Sequence, residues 1–151
     1  MARVDFYHLT RDPAATVLAR LAERALGAGN RLLIVAGEIA VREDIDAALW
    51  TALPESFLAH MPAGSPVADQ VDEPVMLASS LDDALAIRPS IVALADGEWR
   101  DQALDFTRTL FLFDGSHIDD ARAAWRTLSK REAVECHYWK QDSAGRWKEG
   151  P

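Results

Sequence analysis

The sequence has 151 residues, of which 49% are hydrophobic and 26% are charged, and its formal net charge is −8. This length suffices for the core of one domain, and the composition excludes intrinsic disorder. The acidic excess argues against broad nucleic-acid binding, which needs a cationic surface. The charge is uneven, because residues 1–120 hold 9 Lys/Arg against 20 Asp/Glu, whereas residues 121–151 hold 7 against 4. The basic carboxyl-terminal end suits an anionic peptide better than a duplex.

The single cysteine, Cys136, cannot form an internal disulfide, which fits a reducing compartment. The first nine residues contain charges and lack the apolar run of a signal peptide. No stretch approaches the roughly 20 apolar residues that span a bilayer. We therefore expect a cytoplasmic protein.

Hydrophobic periodicity predicts alternating strands and helices along the chain. Asp12 and Pro13 supply the start signals of the first helix, and Gly27 supplies its end. In chain order, the predicted elements are a strand at 4–9, a helix at 14–26, a strand at 31–36, a helix at 41–53, strands at 74–78, 90–95 and 107–113, a helix from Ser116 or Asp119 to about Arg131, and a strand at 134–139.

The segments between these elements are less regular. Residues 59–74 are rich in proline and glycine, which predicts an irregular loop, and residues 98–105 give no clear pattern. A short tail with Trp147 follows a turn at residues 143–145. The alternation predicts an α/β fold, a three-layer sandwich whose mostly parallel sheet has helices on both faces and whose last strand can form an antiparallel edge. We expect one domain over residues 1–151.

The loop after the first predicted strand is where a nucleotide-binding α/β protein places its glycine-rich phosphate loop. Here residues 8–13 contain no glycine, and Asp12 would repel a phosphate. Gly27 and Gly29 lie at the wrong end of the helix. The fold is therefore expected to be Rossmann-like without a phosphate-binding loop, and a small nucleotide-binding regulatory or enzymatic domain is the alternative interpretation.

Residues capable of metal or nucleophilic chemistry are scattered. Cys136 and His137 are neighbours in a predicted strand, so their side chains point to opposite faces. Three histidines lack the spacing of metal-ligand pairs: His8, His60 and His117. Two further pairs are interpreted as ordinary caps and surface charges: Asp5 with His8, and Asp44 with Asp46. We expect no catalytic residue, no metal and no cofactor.

The last predicted helix carries the most informative pattern. Its core-facing positions are Ala121, Ala124, Trp125 and Leu128. Arg122, Arg126 and Lys130 recur every four residues along the flank, so Trp125 lies beside guanidinium groups that can hold a carboxylate. On the residues alone, a solvated basic face with a buried Trp125 is the more common meaning of this pattern, and both interpretations stay open.

A series of short motifs runs through nearly the whole chain. They are residues 4–9 (VDFYHL), 29–35 (GNRLLIV), 46–51 (DAALWT), 56–60 (SFLAH), 74–77 (PVML), 112–115 (LFDG), 121–126 (ARAAWR), 138–142 (YWKQD) and 145–147 (GRW). Together they resemble the chi subunit family of bacterial DNA polymerase III. Two departures concern loops, because Ala59 stands where the family often has proline and residues 132–135 lack a glycine common there.

The resemblance implies a non-catalytic accessory subunit of the DNA polymerase III holoenzyme. It also implies binding to the acidic, apolar-ended C-terminal tail of single-stranded-DNA-binding protein. In some bacteria the chi subunit also binds the psi subunit, which joins it to the clamp loader. No direct nucleic-acid binding and no membrane association are expected.

Residue by residue, the resemblance places the tail site on the last helix, at Arg122, Trp125 and Arg126. Further candidates for this site are Lys130 and one of Phe111 or Phe113. A surface for a second partner is expected at Trp50, Phe57, Leu58 and His60. The same four residues are equally suited to anchoring a loop on the core.

Overall fold

The computed structural model describes residues 2–51, 60–62, 75–81 and 89–150. Their helices and strands, in chain order, are β1 (Ala2–His8), α1 (Ala14–Gly27), β2 (Leu32–Val35), α2 (Ile39–Thr51), β3 (His60–Pro62), β4 (Val75–Ala78), β5 (Ile91–Leu94), β6 (Arg108–Phe113), α3 (Ile118–Leu128), β7 (Val134–Gln141) and β8 (Trp147–Glu149). Two 3₁₀ turns flank β6, at Asp101–Asp105 and Gly115–His117.

The strands of the described residues form one sheet in the order β3-β4-β2-β5-β6-β1-β7-β8. Every neighbouring pair is parallel except β7 and β8, which pair antiparallel. The two longest strands, β1 and β7, lie side by side, with His8 opposite Lys140. This register fixes which side chains meet at the carboxyl end of β1.

Helices cover both faces of the sheet, as the alternation of elements predicts. On one face α1 and α2 pack over Tyr7, Ile34 and Leu112, and on the other face α3 packs over Phe6 and Phe111. The strands β2, β4 and β5 are buried along their whole length, as expected where helices lie on both sides. The predicted three-layer α/β sandwich is confirmed.

Three local predictions differ from the structure. The tail with Trp147 is strand β8, which pairs with β7 and whose indole packs edge-to-face on Tyr7 with ring centroids 5.2 Å apart. Thus β8, and not β7, is the antiparallel edge. Part of the predicted loop at residues 59–74 is strand β3, which pairs with β4. Neither Ser116 nor Asp119 caps α3, since His117 occupies that position and the Asp114 carboxylate caps the preceding 3₁₀ turn.

None of the described helices is long and apolar enough to cross a membrane.

A buried carboxylate joins three strands on the α1 face of the sheet. Asp5 is fully buried and accepts hydrogen bonds from Arg3 (3.1 Å), Arg108 (2.8 Å) and the indole nitrogen of Trp139 (3.1 Å). These residues lie on β1, β6 and β7. Burial by itself would raise the pKa of Asp5, but the three donors outweigh it and hold the pKa below its ordinary value. Asp5 is therefore a structural ion-pair centre, and not the surface charge that the sequence indicated.

Because its pKa is lowered on folding, Asp5 contributes stability that is present above the ordinary aspartate pKa and is lost as the pH falls through the folded-state pKa. We expect Asp5→Asn to reduce the free energy of unfolding near neutral pH by about 2–3 kcal/mol, somewhat less than for a fully buried pair, because both arginines are partly exposed. Urea unfolding near neutral pH and in acid measures the loss, which should shrink in acid.

The matched control is Asp105→Asn, because Asp105 is exposed. Its unfolding free energy should change by no more than about 0.5 kcal/mol. Equal losses in the two variants would show that Asp5 does not hold the strands together.

Candidate functional site

Helix α3 presents different residues to the sheet and to solvent. Ala121 and Leu128 are buried against the sheet, whereas Arg122 and Arg126 are exposed along one flank. Trp125 is partly buried between these two sides. The amphipathic pattern of the sequence therefore corresponds to a helix that displays two guanidinium groups beside an aromatic ring.

A cavity of about 320 Å³ opens between α3 and the end of the sheet. It is lined by His8, Ile118, Arg122, Trp125, Arg126, Tyr138 and Lys140. These residues come from β1, α3 and β7, and we call this the α3–β7 pocket. Three of its seven residues are cations and none is acidic.

Trp125 belongs both to the core and to the pocket. Its ring packs edge-to-face on the fully buried Phe6, with centroids 5.2 Å apart, and on Tyr138 at 5.7 Å. Such aromatic contacts fix the ring in a defined orientation. The pocket therefore has a rigid aromatic wall, since the residue that forms it is anchored in the core.

The pocket arginines have no acidic partner in the part of the chain that the structure describes. Among the described residues, neither Arg122 nor Arg126 forms an ion pair or a side-chain hydrogen bond. The charge of Arg122 nevertheless acts on the pocket, because it opposes the rise that burial causes in the pKa of Tyr138. An anion that entered here would meet cations that have not already been paired.

His8 lies where β1 reaches the pocket. Its ring stacks on Phe113, with centroids 5.1 Å apart, and its Nδ1 lies 3.2 Å from the Tyr138 hydroxyl. Burial lowers the pKa of His8, and the positive charges of Lys140 and Arg122 lower it further, against a weaker opposing effect of Asp114. The imidazole is therefore biased towards its neutral form.

The structure brings together only some of the residues predicted for the tail site. Arg122, Trp125 and Arg126 line one pocket, but Phe111 is fully buried beneath the sheet surface and Lys130 is exposed without lining the pocket. Phe113 is also buried. The sequence analysis missed four lining residues: His8, Ile118, Tyr138 and Lys140. Three of these lie on β1 and β7, and the sequence carried no sign that these strands are neighbours.

Phe57 and Leu58 of the predicted second-partner surface lie outside the described residues, as do the side chains of Trp50 and His60. The backbone places Trp50 in α2 and His60 in β3.

A second cavity, of about 580 Å³, lies at the carboxyl ends of β1, β2, β5 and β6, where α/β proteins commonly bind nucleotides. Its charged lining consists of one arginine, Arg11, one histidine, His117, and five carboxylates, from Asp12, Glu38, Asp96, Glu98 and Asp114. A phosphate would be repelled at this cleft, in agreement with the missing glycine loop.

Carboxylates of this cleft are held by neighbouring groups. Asp96 accepts hydrogen bonds from the Gly37 amide (2.9 Å) and from two nitrogens of Arg100 (2.8 and 2.9 Å). Burial alone would raise the pKa of Asp96, but these bonds hold it below its ordinary value. Asp12 accepts a bond from Gln141 at 2.7 Å, which ties the loop after β1 to the end of β7. These bonds hold the loops around the cleft in place.

The structure separates most of the residues that the sequence offered for metal or nucleophilic chemistry. Within the described ranges, no cluster of three or more His, Cys, Asp or Glu side chains has the arrangement of a metal site. Asp5 and His8 do not form a pair, because Asp5 bonds to Trp139 on the α1 face and His8 contacts Tyr138 on the α3 face. Cys136 packs into the α3-side core, while His137 contacts Glu149 at 2.6 Å on the opposite side.

Comparison with known proteins identifies the family of this α/β domain. The sequence model of the family described as DNA polymerase III chi subunit, HolC, matches residues 1–134. The chain belongs to this family. The family name connects it with DNA polymerase III and DNA replication, and the resemblance seen in the motifs is thereby confirmed.

One curated relative is the DNA polymerase III subunit chi of Pseudomonas aeruginosa, which is 37% identical over 81 residues. The matched stretch covers 49% of this chain and 57% of the relative, so it spans just over half the relative's length. Of the pocket residues, Tyr138 and Lys140 lie beyond the part of the chain that the chi family model matches.

The acidic cleft predicts the outcome of a nucleotide screen. We expect millimolar nucleoside mono-, di- and triphosphates to shift the thermal unfolding midpoint by less than about 1 °C. A ligand whose dissociation constant exceeds its concentration adds little stability. Differential scanning fluorimetry measures this shift. A saturable, concentration-dependent rise with one nucleotide would instead make the cleft a ligand site.

Proposed function

We propose that the chain is a non-catalytic, cytoplasmic accessory subunit of the DNA polymerase III holoenzyme, and that it binds the acidic C-terminal tail of single-stranded-DNA-binding protein in the α3–β7 pocket. The observation that carries the proposal is the juxtaposition of a fixed aromatic wall with cations that have no ion-pair partner among the described residues. Arg122 and Arg126 supply the cations and Trp125 the wall.

The chemistry of the pocket suits a peptide with acidic residues and an apolar end. A guanidinium group can hold a carboxylate through two parallel hydrogen bonds, and charge-assisted bonds are among the stronger ones in proteins. The rings of Trp125 and Tyr138 and the side chain of Ile118 offer an apolar surface beside the cations. A volume of about 320 Å³ is enough for one large side chain and its neighbours, but not for a long segment.

The distribution of charge favours binding of an acidic peptide at one local part of the surface. The whole chain is acidic, with a net charge of −8, so an acidic peptide is repelled by most of the surface. The peptide is attracted only by the basic carboxyl-terminal part of the chain. The exposed charges of this part are screened by salt. A peptide with so few strong contacts should bind with a dissociation constant on the order of micromolar, and more weakly at high salt.

A link to the psi subunit and the clamp loader is part of the same proposal, through the surface expected at Trp50, Phe57, Leu58 and His60. The competing function, a nucleotide-binding regulatory or enzymatic domain, would use the acidic cleft. The carboxylates there make it the weaker candidate.

The decisive residue for tail binding is Arg122. We expect Arg122→Ala to weaken binding of a synthetic tail peptide by ~1.5–3 kcal/mol, the range for a hydrogen bond to a charged group. Isothermal titration calorimetry measures the change. Because Arg122 is exposed, the substitution should leave the fold intact, which circular dichroism checks.

Two control variants sharpen this test. Arg24→Ala removes the same charge from an exposed position on α1, on the other face of the sheet, and should leave the affinity within about twofold of the original. Lys130→Ala should have a similarly small effect, since Lys130 does not line the pocket. If Arg122→Ala behaves like these controls, the pocket is not the tail site.

A further inference from the structure

His8 is set into the floor of the α3–β7 pocket. The side chain is only 9% exposed, yet it lines the cavity. Phe113 lies parallel to its ring, with an angle of 14° between the planes, and Tyr138 contacts its Nδ1. The latter contact engages one ring nitrogen, and the residue as a whole lines the pocket. The imidazole is thus held in place before any ligand arrives.

The charged and titratable groups around His8 come from three elements. Helix α3 contributes Arg122, with Arg126 further along the same pocket wall. Strand β7 contributes Lys140 and Tyr138, and the turn after β6 contributes Asp114. Lys140 and Arg122 outweigh the single carboxylate, and burial acts in the same direction, so the pKa of His8 lies below its ordinary value. In the empty pocket the ring is therefore mostly neutral at neutral pH.

We propose that His8 couples occupation of the pocket to proton uptake, so that its imidazole becomes imidazolium as an anionic peptide binds. This inference rests on the proposed tail-binding function and adds a pH dependence to it. The proton comes from solvent, and no bond other than the N–H bond is formed. The bound carboxylate would accept a hydrogen bond from the protonated ring.

The direction of the effect follows from linkage. A bound carboxylate offsets the positive field of Arg122 and Lys140 and favours the imidazolium, so the pKa of His8 is higher in the complex than in the empty pocket. Affinity then increases as the pH falls through the interval between these two pKa values, and levels off below the lower one. Aspartates of the peptide itself remain ionised through most of this interval.

The test is calorimetric titration of the full chain with the synthetic acidic tail peptide. We expect binding to be about three- to tenfold tighter at about pH 5.5 than at about pH 7.5, because the imidazolium form of His8 attracts the bound carboxylate. Titrations in two buffers with different ionisation enthalpies should show net proton uptake. In His8→Gln, which keeps a polar side chain without a titrating ring, both effects should disappear.

His137 provides the matched control, because its ring also titrates but lies on the α1 face, between Glu149 and Glu135. His137→Gln should keep the pH dependence of the original chain. The pKa of the His8 ring, measured by NMR with and without peptide, tests the proposal without any substitution. A rise on binding supports it.

The possible failures are separable. Peptide that binds without proton uptake, with equal affinity at both pH values, overturns the role of His8 and leaves the tail-binding function standing. Peptide that does not bind at either pH overturns the tail-binding function, and the inference about His8 falls with it.

Discussion

The parallel pairing of β1 with both β6 and β7 is the constraint on which the rest of the structure depends. Since successive side chains of a strand point to opposite faces, β1 sends Asp5 and Tyr7 towards α1 and sends Phe6 and His8 towards α3. The first face gains an ion-pair centre that joins three strands. The second gains an aromatic cluster and the floor of the pocket. One strand thereby determines both the stability and the binding surface of this end of the molecule.

The aromatic cluster converts the packing of α3 into a binding geometry. Phe6, Phe111 and Tyr138 are aligned in neighbouring strands, and Trp125 rests on this platform. Because the tryptophan is fixed, the rotation of α3 about its own axis is fixed as well. This orientation of α3 places Arg122 and Arg126 beside the pocket and in contact with solvent. The side chain of Trp125 therefore both stabilises the packing of α3 and forms part of the recognition surface.

Much of this architecture could be predicted from the sequence, because hydrophobic periodicity is a local signal. The apolar runs of β2 and β5 and the amphipathic pattern of α3 were sufficient to predict the layers, and the basic flank of α3 could be read directly. The sequence did not indicate which distant segments become neighbours in the fold. His8 and Lys140 are 132 positions apart in the chain, and only the β1–β7 register makes them neighbours. The burial of Asp5 was missed for the same reason, since two of its three partners, Arg108 and Trp139, are distant in sequence.

Strand β8 affects the tendency of the molecule to associate with other chains. Without it, the eight residues of β7 would form a long edge with open hydrogen-bonding groups, directly beside the pocket. Such an edge is a template for joining another chain's strand, and therefore a route to aggregation. β8 covers the carboxyl-terminal part of that edge with three residues, of which Lys148 and Glu149 are exposed charges. At this end of β7 the new edge is short and charged, which discourages sheet-to-sheet association beside the pocket.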